Sequence, residues 1–341
     1  MRKNRFSLLY VIFAGVLAAA LMGCSKPIPT RVEFALGTVC SISLYEKGNV
    51  RVYQDIFGRL AEIEKRMSVG LADSDISRIN AAAGIEPVKV HADVFEVVER
   101  AMYYAEISGG AFDPTVEPLV SLWGIGGDAP RVPSQGEIDA AISLINWRDI
   151  VLDREQGTIF LKHPGMALDL GAIAKGYAAD EVEEIVKKAK IPRALIDLGG
   201  NILTYGEKAD HSPWRVGIQN PNGLRGSYIG IIQFRNKTMV TSGVYERFFE
   251  ENGVHYHHIL STADGYPVRN GLLSVSIITD RSMDADGLST SVFALGYERG
   301  RALVESLEGV QAVFVFEDMS IRLTKGTDFI LTDDAYQLVS D

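Results

Sequence analysis

The chain has 341 residues, 47% of them hydrophobic, with 44 acidic against 34 basic side chains and a formal net charge of -10. Phosphate backbones recruit clustered Lys and Arg, so this scattered basic set excludes a nucleic-acid binder. An acidic protein that handles an anionic substrate needs a local remedy: a metal ion, helix N-termini or a few placed cations.

Arg2, Lys3 and Arg5 precede an apolar run from Phe6 to Met22, the order of a secretory signal, so export is expected. The run is shorter than the roughly 20 residues that span hydrocarbon. It ends in Leu21-Met22-Gly23-Cys24, which resembles a bacterial lipobox. The alternative is an ordinary signal peptide with a chance cysteine. On the lipobox reading, residues 1–23 are removed, Cys24 carries lipid, and residues 24–30, with Pro27 and Pro29, tether the protein to a bacterial membrane. Cys40 is then left without a disulfide partner, and the folded part, residues 31–341, relies on core packing.

Val32 to Tyr45 alternates, with Cys40, Ile42 and Leu44 on one face, and reads as an opening strand. From Val52 to Met67, Ile56, Leu60, Ile63 and Met67 recur at helical spacing. Ser74 to Asn80 reads as a capped helical turn, and Asp93 to Ile107 as a second amphipathic helix ended by Gly109-Gly110. Short strands follow at Met166–Leu170, Ala194–Leu198, Trp214–Ile218, Tyr228–Phe234, Leu273–Ile278 and Val310–Phe316. Helices and strands do not alternate strictly, and hairpin-like pairs dominate the second half. The expected class is α+β: a single elaborated domain with a mixed, largely antiparallel sheet and flanking helices.

Four segments carry chemistry. In Asp169 to Asp180, an apolar strand meets a turn and then a helix; Gly171 and Gly176 allow close approach, the helix N-terminus favours an anion, and Lys175 adds a cation. Phosphate binding fits, as does a plain strand-turn-helix connection. No GxxxxGK[ST] or GxGxxG occurs, which disfavours the standard nucleotide folds.

Asp286 and Thr290 fall at i, i+4, so one helix presents both oxygens on one face. Such hard ligands suit magnesium, whereas zinc would want histidine or thiolate. A calcium loop fails, because with Gly287 at its sixth position Phe293 stands where a bidentate Glu belongs. An Asp that merely caps the helix stays open. His255 to Leu260, read as a strand, sends His258 to one face and His255 and His257 to the other, so the three cannot converge on a metal. One of them suits a general base; a solvated surface histidine is the bland alternative. Thr241 to Phe249 and Gly110 to Thr115 mix glycine, hydroxyls and aromatics, which suits a flat ring with polar edges and equally suits core packing.

In this order the segments resemble the ApbE family of flavin transferases, the FAD:protein FMN transferases. The motifs are Leu36-Gly37-Thr38, Met67-Ser68, Ser74 to Asn80, Ala111 to Thr115, Leu122-Trp123-Gly124, Asp169 to Asp180, Asp197 to Asn201, Thr241-Ser242-Gly243, His257-His258-Ile259 and Ala285 to Thr290. The resemblance implies that the Ala174 carbonyl, Asp286 and Thr290 hold magnesium beside the FAD pyrophosphate. It implies flavin-nucleotide contacts at Leu36, Gly70, Ala111, Phe112, Asp113, Gly171, Lys175 and Leu260, with His258 as base. The implied partners are FAD, as substrate, and an exported acceptor flavoprotein of a redox complex with a Ser/Thr-Gly-Ala-Ser/Thr-like motif.

Three positions depart from the family pattern. Leu36 replaces a common Met, Gly70 a common Tyr or Asn, and Ser261-Thr262-Ala263-Asp264-Gly265 stands for Asp-Pro-x-Thr-Gly. Gly70 removes a side chain from the pocket, so magnesium-dependent hydrolysis of FAD to FMN and AMP stays an alternative. A lipoprotein that only binds flavin is another.

Overall fold

The computed structural model describes residues 29–340. The secretory run, the lipobox and Cys24 lie outside the described residues, and no described helix is long and apolar enough to cross a membrane.

The chain opens with a hairpin, β1 (Arg31–Ala35) and β2 (Thr38–Tyr45). The span expected as one strand is broken at Leu36-Gly37, which take φ of 53° and 67°. Ala35 pairs with Thr38, leaving a two-residue loop with both φ positive, the turn whose twist suits a tight hairpin. Helix α1 (Val50–Met67) follows, its N-terminus capped by the Asn49 side chain. It buries Val52, Tyr53, Ile56, Leu60, Ile63 and Met67. Each such aliphatic side chain contributes about 1.5–3 kcal/mol on leaving water, which outweighs helix propensity here.

Ser74 caps the short α2 (Asp75–Ala81), as expected, and α3 (Ala92–Ile107) is the second amphipathic helix. Asp93 joins α3 to α1 by accepting from Arg59 at 2.9 Å and Arg66 at 2.6 Å. Helices α4 (Glu117–Trp123) and α5 (Gln135–Ile142) form a side lobe. Strands β3 (Val88–Lys89), β4 (Ile150–Asp153) and β5 (Thr158–Leu161) make a small sheet of their own.

The second half supplies α6 (Ala174–Lys188), β6 (Arg193–Leu198), β7 (Asn201–Tyr205), β8 (Trp214–Gln219), β9 (Tyr228–Phe234) and β10 (Thr238–Gly243). After the hairpin β11 (Phe248–Glu251) and β12 (Val254–His257) come β13 (Leu272–Thr279), α7 (Ser282–Leu295) and α8 (Tyr297–Glu305). Strands β14 (Gln311–Phe316), β15 (Ser320–Leu323), β16 (Phe329–Leu331) and β17 (Gln337–Leu338) complete the chain.

The fold is the expected α+β unit. A nine-stranded sheet runs β1-β2-β6-β7-β10-β13-β14-β15-β17, antiparallel except for the parallel pair β15 and β17. One face carries the helices: Ile42, Leu198, Val240 and Ile277 share a core with α1, α3, α6 and α7. The other face packs Met239, Ile278, Val313 and Val315 against the β16-β9-β8 sheet. Both faces of β13 are therefore covered, which is why Leu272–Thr279 reads as an almost continuous apolar run.

One expected strand is absent. Met166–Leu170 joins no sheet, because its peptide groups are satisfied elsewhere. The Asn80 side chain donates to Leu168 O at 3.0 Å and accepts from Leu168 N at 2.7 Å, while Asp169 N donates to Pro114 O. A side-chain amide thus substitutes for a neighbouring strand.

Candidate active site

The helical face of the sheet opens into a cleft of about 640 Å³, bounded by the β1–β2 turn, the end of α1, residues 111–113, the start of α6, the end of β10, residues 258–262 and α7. Of the residues singled out from the sequence, Leu36, Ala111, Phe112, Asp113, Gly171, Ala174, Lys175, His258, Leu260, Asp286 and Thr290 all line it. Gly70 does not; Met67, Ser68 and Val69 do, and Gly70 sits just beyond them, its amide donating to Ser68 Oγ at 3.2 Å.

Helices α6 and α7 pack very closely. A Cβ on Gly176 would fall 2.2 Å from Ser282 O and 2.7 Å from Asp286 Cβ. Gly176 is thus required for helix-to-helix contact, a correction to its expected role of admitting a ligand. Asp180, one turn further along α6, accepts from the N–H groups of Ser282 and Met283 at 2.7 and 3.0 Å, capping α7 from outside. Burial pushes its carboxyl up to about 6 despite those bonds.

This packing fixes the acidic corner. Asp286 is 3% exposed, and its Oδ2 accepts from Gly176 N at 2.8 Å. Its Oδ1 lies 3.7 Å from Lys175 Nζ, which donates to Gly171 O at 3.1 Å. One helical turn along, Thr290 Oγ1 lies 3.3 Å from Ser242 Oγ on β10. Among the described residues no three His, Cys, Asp or Glu side chains gather as a metal site. The corner offers instead a carboxylate and a hydroxyl, with Ala174 lining the same cleft, and hard oxygens of this kind suit magnesium, which shares its remaining positions with water and phosphate.

The histidines separate as expected, although β12 ends at His257. The His257 ring is buried, with Nε2 at 2.8 Å from Val268 O and its edge against Phe293. His258 instead lines the cleft, and both its backbone N–H and its ring Nδ1 engage Arg247 O, at 3.0 and 3.2 Å. The ring contact makes Nδ1 the donor and leaves Nε2 with a free lone pair. Burial first, then the Arg247, His257 and Lys175 charges, lower this imidazole to about 4, with the Arg247 carbonyl opposing. It is neutral at pH 7.

Asp113 lines the cleft, and both of its carboxylate oxygens accept hydrogen bonds from neighbouring chain. Oδ1 accepts from Thr115 N and Oγ1, and Oδ2 from Trp147 N at 3.0 Å, so the side chain braces the loop behind the cleft wall. In the departing segment, Ser261 Oγ accepts from Ala263 N and Asp264 N at 3.3 and 3.4 Å, so a hydroxyl holds the turn. Thr262 Oγ1 then donates to Gly110 O at 2.7 Å, tying the turn to the Ala111 wall.

Arg225 also lines the cleft, from the loop between β8 and β9, and was not foreseen. Only the Asn220-Pro221-Asn222-Gly223 turn signal marks that loop, and a turn signal does not say where a loop folds back. With Lys175 and Arg247, Arg225 supplies the placed cations that an acidic protein needs for an anionic ligand.

The chain matches the ApbE family over residues 36–314. It is 38% identical to an FAD:protein FMN transferase of Treponema pallidum over 87% of each chain. It is 37% identical to one of Klebsiella pneumoniae over 83% of this chain and 89% of that one. The crystal structure of the ApbE protein from Thermotoga maritima superposes with a TM-score of 0.81 at 33% identity, covering 87% of this chain and 97% of that one. The flavin transferase ApbE of Vibrio cholerae does so with a TM-score of 0.77 at 27% identity, covering 90% and 97%.

Proposed function

This chain belongs to the ApbE family, and we propose that it is an exported FAD:protein FMN transferase that attaches FMN through a phosphoester bond to a Thr or Ser of another exported protein. The observation that carries this reading is the joining of two chemistries in one cleft. The Asp286 carboxylate of α7 is held by a backbone N–H of α6 at the cleft wall, and a neutral imidazole, His258, lines the same space. The relatives' names supply the substrate, and Ala111 and Phe112 in the cleft lining give apolar surface that suits its flat ring.

Asp286, Thr290 and the Ala174 carbonyl would hold magnesium, which when bound offsets charge on the dinucleotide's pyrophosphate. Lys175, Arg225 and Arg247 add fixed positive charge around the phosphates. His258, its Nδ1 proton directed at Arg247 O, accepts the acceptor hydroxyl's proton at Nε2. The hydroxyl oxygen bonds to the phosphorus on the FMN side, and the bridging P–O bond breaks. AMP leaves with the electron pair, and the phosphoester to FMN remains on the acceptor. Lipidation of Cys24 would hold the enzyme at a bacterial membrane, where an acceptor subunit of a redox complex with a Ser/Thr-Gly-Ala-Ser/Thr-like motif is reached.

A second reading is favoured by Gly70. With no side chain there, the rim beside Ser68 and Val69 is left open to water, and water in place of the hydroxyl yields free FMN and AMP. One incubation separates the two: protein, FAD, magnesium and an acceptor carrying that motif, followed by intact mass. Transfer adds the mass of FMN to the acceptor; hydrolysis leaves the acceptor unchanged and releases FMN. FAD that survives intact overturns both.

A further inference from the structure

Asn201 opens β7 immediately after the Gly199-Gly200 turn, in register with Leu198 on β6 and Val240 on β10. Residues paired across an antiparallel ladder share a face, and both partners belong to the core under the helices. Asn201 therefore points to the helical side of the sheet. Ser242, two residues beyond Val240, is on that same face, and its hydroxyl meets Ser289 and Thr290 at 2.9 and 3.3 Å. Asn201 and Ser242 are diagonal neighbours, so the amide stands one ladder step from the Asp286–Thr290 corner. It also lines the cleft.

The residue is 3% exposed, and its Nδ2 is buried with no hydrogen-bond partner. Buried side-chain donors are nearly always satisfied, and an apolar residue would suit this sheet face as well as its neighbours Leu198 and Val240 do. An amide retained here makes sense if a ligand completes it. The nearby corner suits a divalent cation with phosphate, and phosphate oxygens accept hydrogen bonds without donating.

We propose that Asn201 binds the pyrophosphate, donating Nδ2–H to a non-bridging phosphate oxygen of the bound dinucleotide. The proposal rests on the dinucleotide reading of the cleft. It gives the site a neutral donor beside the Asp286–Thr290 corner, one that grips phosphate without competing with magnesium as a fixed cation would.

The test compares the full chain with Asn201→Leu and Asn201→Asp, titrating each by flavin fluorescence with FAD and with riboflavin at fixed magnesium. Riboflavin carries the ring without phosphates and reports an intact flavin wall. The expected result is FAD affinity lowered about tenfold or more in Asn201→Leu and further in Asn201→Asp, where a carboxylate faces phosphate, with riboflavin affinity unchanged. Wild-type FAD affinity in both variants overturns the assignment, as does an equal loss for FAD and riboflavin, which would make Asn201 a packing residue. A wild-type protein that takes up no FAD overturns the dinucleotide reading together with this one, and is told apart by the wild-type titration itself.

Discussion

The backbone N–H of Gly176 donates to Asp286 Oδ2 at 2.8 Å, joining residues 110 positions apart in the chain. That bond orients the carboxylate by a main-chain group that cannot rotate away, and it exists only because α6 lacks a Cβ at the crossing. Placement of the acidic corner is therefore set by helix packing as much as by the aspartate.

Gly176→Ala tests the crossing. Alanine gains about 1 kcal/mol of helix propensity, but its Cβ meets the Ser282 carbonyl at 2.2 Å. The helices must separate, and a net loss of about 1–3 kcal/mol in urea unfolding is expected, with a matching loss of transfer. Unchanged stability would mean that α6 and α7 part freely.

Asp286→Asn keeps an oxygen for the Gly176 N–H and removes the charge, so the fold should survive. Both FMN transfer and FAD hydrolysis are expected to fall by about a hundredfold or more, with a higher magnesium requirement. Full activity at the wild-type magnesium optimum would remove Asp286 from the metal site.

His258→Gln should lower kcat by about 10²–10⁴-fold while FAD affinity stays within a few-fold. The pH profile gives an independent check. A neutral imidazole is the active form, and its titration is lowered to about 4 from an ordinary 6.5. The base is thus present from pH 8 down to pH 5 and is lost only as pH falls through about 4. A wild-type acid limb near 6.5 that disappears in the variant would show that the ring is solvated and not held as described.

Gly70→Tyr should be accepted by the fold, since a Cβ there meets only Ser68 Oγ at 3.6 Å. The added ring can close the rim over bound flavin. FAD affinity is expected to rise several-fold and the ratio of acceptor flavinylation to free FMN to increase, read by mass and by chromatography in one reaction. An unchanged ratio would mean that water does not enter past residue 70.

Local periodicity and residue chemistry were enough to read α1, α3, the paired strands of the second half, and the facing of Asp286 and Thr290, because each depends on residues within one or two turns of the chain. The separation of His258 from His257 was legible for the same reason: neighbours on extended chain face opposite ways. Other features were decided only by the assembled sheet and helices. Met166–Leu170 looked like a strand until Asn80 took its hydrogen bonds; Gly176 looked like a ligand turn until α7 lay against it. For Arg225 a turn signal, and for Asn201 a place in a motif, did not say what either side chain faces, since what a loop folds over, or what a ladder position faces, is fixed by strand register and helix packing between residues far apart in sequence.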